Sequence, residues 1–85
     1  FMAYKRLTKL IREKIQRKET IETKVLNLYE ASNPSFYYVY EILGDYYAAI
    51  QQTDTAITYW QKALTMPIPK QAEKVRIQQK INKKQ

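Results

Sequence analysis

Apolar residues recur at helical spacing along most of the chain, and polar or proline-containing stretches separate the apolar runs. The stretch 16–20 holds no apolar residue but also no Gly or Pro, so helix propensity would let one helix continue through it. Over about 3–31 the sequence favours two helices or one kinked helix over one straight helix. If there are two, Thr20 is a possible N-cap of the second. The apolar positions on either side of this stretch are Tyr4, Leu7, Leu10, Ile11 and Ile15, then Ile21, Val25, Leu28 and Tyr29.

Two proline-containing breaks divide the rest of the chain. At Asn33-Pro34-Ser35 the residue before the proline is pushed out of the helical region, and Ser35 is a good N-cap. The second break is Met66-Pro67-Ile68-Pro69. Helices are therefore predicted over about 36–51, from Thr53 or Asp54 to 66, and over 70–82. No segment alternates as a strand would, so the sequence predicts an all-α fold.

The spacing of six residues in the middle helices is the most specific signal in the chain. Counted from Leu43, the offsets are one to Gly44, four to Tyr47, thirteen to Ala56, seventeen to Trp60 and twenty to Ala63. Over about 35–68 this pattern resembles one tetratricopeptide repeat, whose 34-residue unit is a helix–turn–helix pair. Tyr40 matches the aromatic residue that usually opens such a repeat, and Leu64 is a further large residue that would fill the gap between the helices.

The resemblance implies small residues where two helices cross and large ones in the gap between them. Gly44 and Ala56 suit the crossing, and Trp60 suits the gap. One departure is the turn, which reads Gln51-Gln52-Thr53 where the repeat usually holds a glycine, so we expect a slightly different turn angle. The domains expected are a basic helical arm (1–33), a tetratricopeptide-like hairpin (34–69), and a capping helix with a basic tail (70–85).

A second, weaker resemblance concerns a longer stretch of sequence. The run 29–40, with the later Leu43-Gly44-Asp45-Tyr46-Tyr47 and Glu73, Ile77 and Ile81, is similar to a helical tail that follows the catalytic domain in some bacterial acyltransferases related to penicillin acyltransferase. Those enzymes are N-terminal-nucleophile hydrolases with a cysteine nucleophile. Because this sequence has no Cys, the resemblance implies an appendage without catalytic residues.

Charge and composition narrow the functions to consider. The 15 Lys and Arg against 8 Asp and Glu give +7, with net +5 in 1–24, −3 in 25–69 and +5 in 70–85. Cys and His are absent and there is one Gly, which argues against thiolate metal sites, a histidine base and a phosphate-binding glycine loop. We therefore expect no enzyme activity and no cofactor or metal in these 85 residues, and we expect the chain to be a fragment of a longer protein.

Binding to a protein, a peptide or the rest of the parent chain is the function the sequence favours. The repeat resemblance implies that Tyr38, Glu41, Asp45 and Ala49 face a groove, where two carboxylates would favour a basic or amphipathic segment over a carboxylate ligand. Interface candidates are Tyr37, Tyr46, Leu7 and Ile11. The apolar stripe of the arm should pack on Tyr40, Tyr47 and the first hairpin helix or on a second chain, so a dimer is expected.

Two further classes of partner are disfavoured by the sequence. The basic blocks suit nucleic acid, but aromatic residues are not interleaved with the basic ones, so no stacking surface is indicated. A membrane is the second class, because no run of about 18 apolar residues occurs that could span it. The first residues also lack the apolar core of a signal peptide.

Overall fold

Five helices account for most of the chain in the computed structural model, which describes residues 2–85. Within these residues there is no strand, so the predicted all-α fold is confirmed, and the arm contains two helices. The helices are α1 (Met2–Arg17), α2 (Thr23–Ser32), α3 (Tyr37–Ala49), α4 (Thr53–Leu64) and α5 (Gln71–Lys84).

The break between α1 and α2 is made by the backbone of Lys18. Its φ of 55° lies in the left-handed region, where glycine is usual. The Lys18 N–H donates to the Ile15 carbonyl (3.1 Å) and the Glu19 N–H to the Lys14 carbonyl (3.0 Å), which is the pairing of a Schellman motif. This motif ends α1 and explains why two helices form although no Gly or Pro is present.

The turn between α3 and α4 uses the same device. Gln51 has φ 67°, and the N–H groups of Gln51 and Gln52 donate to the carbonyls of Ala48 (3.1 Å) and Tyr47 (2.8 Å). The turn therefore places glutamine in a left-handed conformation that glycine adopts more easily.

The predicted N-caps are wrong. The residues before α2, α3 and α4 are Glu22, Phe36 and Gln52, and none of them makes a side-chain capping bond. Ser35 lies inside the turn that Pro34 starts, in which the Phe36 N–H donates to the Asn33 carbonyl (3.3 Å). The predicted Thr20 lies two residues before the true cap, and Thr53 is the first residue of α4.

The odd-numbered helices run in the same direction. Successive positions along α3 bind successive positions along α5, so these two helices are parallel. The pairs are Tyr37 with Glu73, Glu41 with Arg76 and Asp45 with Lys80. At the start of α1, the ring of Tyr4 contacts that of Phe36 (5.9 Å between centroids), just before α3. The Ile21 N–H, just after α1, donates to the hydroxyl of Tyr46 in the later part of α3, so α1 also follows the direction of α3.

The core is centred on the α3–α4 hairpin, against which α1 and α5 pack. Gly44 lies directly against the indole of Trp60, and Ala56 and Ala63 are fully buried. Tyr47 is half-buried and stacks on Tyr59 (5.4 Å, 3°). The residues buried in this core include Tyr29, Tyr40, Leu43, Ile77 and Ile81, while Leu64 is half-buried.

The arm packs on α3 within the same chain, one of the two outcomes that the sequence predicts. Ile11 is fully buried, so it is not available as an interface residue, and Leu7 is half-buried. Much of the apolar stripe that suggested a dimer is therefore covered by α3, although Leu10 stays 40% exposed. Dimerisation stays a prediction, with less apolar surface to drive it. Across residues 2–85, every helix is too short or too polar to cross a lipid bilayer.

Candidate functional site

A cleft of about 390 Å³ lies between α1, α3 and α5, and we call it the groove. The even-numbered helices contribute no residue to its lining, so the groove belongs to the face formed by the three parallel helices. Three of the four groove residues implied by the sequence line it. The full lining is Arg12, Ile15, Gln16, Tyr38, Glu41, Ile42, Asp45, Arg76 and Lys80.

Glu41 is the buried anion of the groove, with a side chain only 1% exposed. Arg76 donates two hydrogen bonds to this carboxylate, from Nε to Oε2 (2.8 Å) and from Nη2 to Oε1 (2.7 Å). Lys80 adds a third, from Nζ to Oε2 (2.7 Å). A buried carboxylate is tolerated only when it is paired and hydrogen-bonded, and two-point pairing with arginine is the strongest form of that contact.

Asp45 lies one helical turn further along α3 and shares Lys80 with Glu41. Lys80 Nζ donates to both oxygens of Asp45 at 3.0 Å. The indole N–H of Trp60 donates to Asp45 Oδ1 (3.1 Å) and to the backbone carbonyl of Glu41 (3.2 Å). The side chain of Trp60 therefore connects the hairpin core to the ion-paired carboxylate of Asp45 in the groove.

The two carboxyls have pKa values shifted in opposite directions. Burial alone would raise the pKa of Glu41, but the hydrogen bonds and charges of Arg76 and Lys80 outweigh it, and the pKa lies below the ordinary value. For Asp45, burial dominates and raises the pKa, helped by the charge of Glu41 and opposed by Lys80. The hydrogen bonds to Glu41 in turn raise the pKa of Arg76.

The rim of the groove holds side chains that remain accessible. Arg12 and Gln16 are exposed on α1, Tyr38 is half-buried on α3, and the Arg76 side chain is 45% exposed although it is paired. Ile15 supplies an apolar contact beside them. The groove thus offers an aromatic, an aliphatic and a cationic surface to a ligand.

Several residues predicted to bind a partner serve the fold instead. Tyr37 is buried, and its hydroxyl donates to Glu73 of α5, while burial and Glu73 raise its pKa to about 12. Tyr46 is buried, and its hydroxyl accepts the Ile21 N–H (2.9 Å), which anchors the segment just before α2. Both fail as interface residues because the arm and α5 cover them. Ala49 is half-buried and lies outside the groove lining.

The premise behind the expected preference for a basic or amphipathic partner needs correction, while the preference itself stays a prediction. It assumed that Glu41 and Asp45 present free carboxylates, whereas α5 supplies their cations from within the chain. The sequence reasoning missed Arg76 and Lys80 because it treated α5 only as a solvated cap. A signal existed, since Arg76 lies 35 positions after Glu41 and Lys80 lies 35 positions after Asp45. That spacing is close to the 34-residue length of the repeat that the sequence resembles.

Comparisons with known proteins add no relative. No family model, no curated protein and no solved structure matches the chain.

Proposed function

We propose that this chain is a protein-interaction module that holds a segment of a partner in the groove. The observation that carries the proposal is the cleft of about 390 Å³ between three parallel helices, with Arg12, Gln16 and Tyr38 accessible along it. Its volume is within the range of sites that receive a small molecule or a few side chains. The partner is a separate protein or another part of the parent polypeptide.

The chemistry of the lining supports binding over catalysis. Glu41 and Asp45 are the acidic groups of the groove, and both are committed to ion pairs with α5, so neither is placed as a free general base. Tyrosine and arginine, represented here by Tyr38, Arg12 and Arg76, are the residue types that most often dominate binding energy at interfaces. The resemblance to a tetratricopeptide repeat supports the same face, because partners of that family usually lie along the first helices of the repeats.

The test is a selection of binding peptides, followed by a variant that fills the groove. Peptides selected from a random display library are measured against the wild type, Gln16→Trp and Gln78→Trp. Gln16 lines the groove, whereas Gln78 is exposed on α5 and points away from Arg76 and Lys80 by helical spacing. We expect Gln16→Trp to weaken binding by about tenfold or more and Gln78→Trp to leave it unchanged. If Gln16→Trp binds the peptides as tightly as Gln78→Trp does, the binding surface lies outside the groove.

A further inference from the structure

We propose that the partner segment is acidic, with carboxylate side chains next to apolar ones. This inference rests on the proposed function and identifies the chemistry of the ligand. Five charged residues line the groove, and the cations Arg12, Arg76 and Lys80 outnumber the anions Glu41 and Asp45. What decides the preference is which of these charges are already satisfied inside the chain.

The anions of the groove are satisfied. Both oxygens of Glu41 accept hydrogen bonds from α5, and the side chain is 1% exposed. Both oxygens of Asp45 accept from Lys80, and one also accepts from Trp60. A basic ligand would have to displace Arg76 or Lys80 from a buried carboxylate, and leaving a buried charge without its partner is costly.

The cations of the groove keep donors for a ligand. Arg76 donates Nε and Nη2 to Glu41, and the Tyr37 hydroxyl also lies beside its guanidinium. Nη1 stays outside the pair with Glu41, and the side chain is 45% exposed. Arg12 is exposed on the opposite wall, formed by α1. A segment lying along α3 would therefore meet a guanidinium on each side, and guanidinium groups bind carboxylates with two parallel hydrogen bonds.

The surroundings of the groove reinforce this local preference. Its two walls, α1 and α5, come from the blocks 1–24 and 70–85, each with a net charge of +5. Such a field attracts acidic segments and speeds their encounter with the site. Ile15 on the α1 wall and Tyr38 on α3 supply apolar contacts, because both are half-buried, whereas Ile42 is 3% exposed and belongs to the core. Apolar residues are therefore expected beside the carboxylates.

The test compares two labelled peptides by fluorescence anisotropy in about 150 mM salt, where diffuse attraction is screened. In one peptide glutamate alternates with leucine and tyrosine, and in the other lysine replaces each glutamate. The glutamate peptide should bind at least about tenfold more tightly. Arg12→Ala should weaken its binding about fivefold. Arg6→Ala is the matched control, because it removes the same charge from an exposed position of α1 outside the groove lining, and it should change binding less than about twofold.

Each contrary result has a distinct meaning. Equal or tighter binding of the lysine peptide would overturn the acidic preference, and so would equal losses in Arg6→Ala and Arg12→Ala. Tighter binding of a single-stranded oligonucleotide, with the same dependence on Arg12, would replace the acidic segment by nucleic acid. In the first two cases, loss of peptide binding in Gln16→Trp would still support the proposed function, so the failure of this inference is distinguishable from the failure of that function. In the third case, the nucleic acid would overturn both.

Discussion

Gly44 and Trp60 form a close contact where α3 and α4 cross, and Gly44→Ala tests it. A Cβ built on Gly44 would lie 2.9 Å from Cγ of the indole and closer still to Cδ1 and Nε1, whereas ordinary contacts are 3.4–4 Å. The indole has little room to retreat, because it is 3% exposed and Nε1 is bonded to Glu41 and Asp45. One methyl group must therefore move the ring, the helices or both.

The expected magnitude comes from two opposing effects. Glycine to alanine inside a helix normally stabilises by about 1 kcal/mol. Overpacking of a tight core costs about 1–3 kcal/mol, and each hydrogen bond that the displaced indole loses costs about 1 kcal/mol more. We expect a net loss of about 1–3 kcal/mol, which in a domain of this size lowers Tm by about 5–20 °C. Gly44→Leu should cost more.

The assay is thermal and urea unfolding followed by circular dichroism, with a double-mutant cycle as the control. Trp60→Ala alone should cost about 3–5 kcal/mol, so all four proteins are measured in the same stabilising osmolyte. In the Trp60→Ala background the clash is gone, and Gly44→Ala should be neutral or stabilising. If Gly44→Ala stabilises the wild type by about 1 kcal/mol, as at an ordinary helix glycine, the close crossing does not exist.

Three further predictions concern the ion pairs and the turn. Lys80→Met should lower the free energy of unfolding in urea by about 2 kcal/mol, because Glu41 and Asp45 lose a shared cation while Arg76 stays. The control Lys74→Met, at an exposed position, should change it by less than about 0.5 kcal/mol. Equal losses in the two variants would mean that the ion pairs of Lys80 do not stabilise the fold. Because the pKa of Glu41 is lowered, this group stabilises the fold at pH values above its ordinary pKa of 4.5, and that stability is lost as the pH falls. Because the pKa of Asp45 is raised, this group stabilises the fold at pH values below its ordinary pKa of 3.8, and that stability is lost as the pH rises. The stability deficit of Glu41→Gln should therefore shrink from about pH 6 to about pH 3 and that of Asp45→Asn should grow, and parallel pH profiles would contradict the assigned pairing. Gln51→Gly should stabilise by about 0.5–1 kcal/mol, because glycine adopts φ 67° without strain; a loss of stability would show that the glutamine side chain matters more than the backbone.

The hairpin could be predicted from the sequence because its signals are local. The spacing from Leu43 to Ala63 reports small and large residues on two adjacent helices, and Pro34 and Pro67 mark where they must break. The two left-handed turns could not be predicted, since Lys18 and Gln51 adopt a conformation that their residue types disfavour. There the packing of neighbouring helices prevails over the preference of a single residue.

The groove was predictable only in part, for a similar reason. Tyr38, Glu41 and Asp45 follow from the helical face of α3, but the state of their carboxylates depends on α5, which is distant in sequence. The polar composition of α5 indicates a solvated helix, and only its contacts show that Arg76 and Lys80 turn inward. Similarly, Tyr46 is exposed or buried according to where α2 starts, which no local pattern specifies.

The most direct test of a groove on the face of α1, α3 and α5 is a two-dimensional NMR titration with the tightest peptide from the selection. We expect the largest changes in amide chemical shift in three stretches that line the groove, 12–16, 38–45 and 76–80. If the largest changes lie on α2 and α4 and these three stretches do not change, the groove is not the binding site.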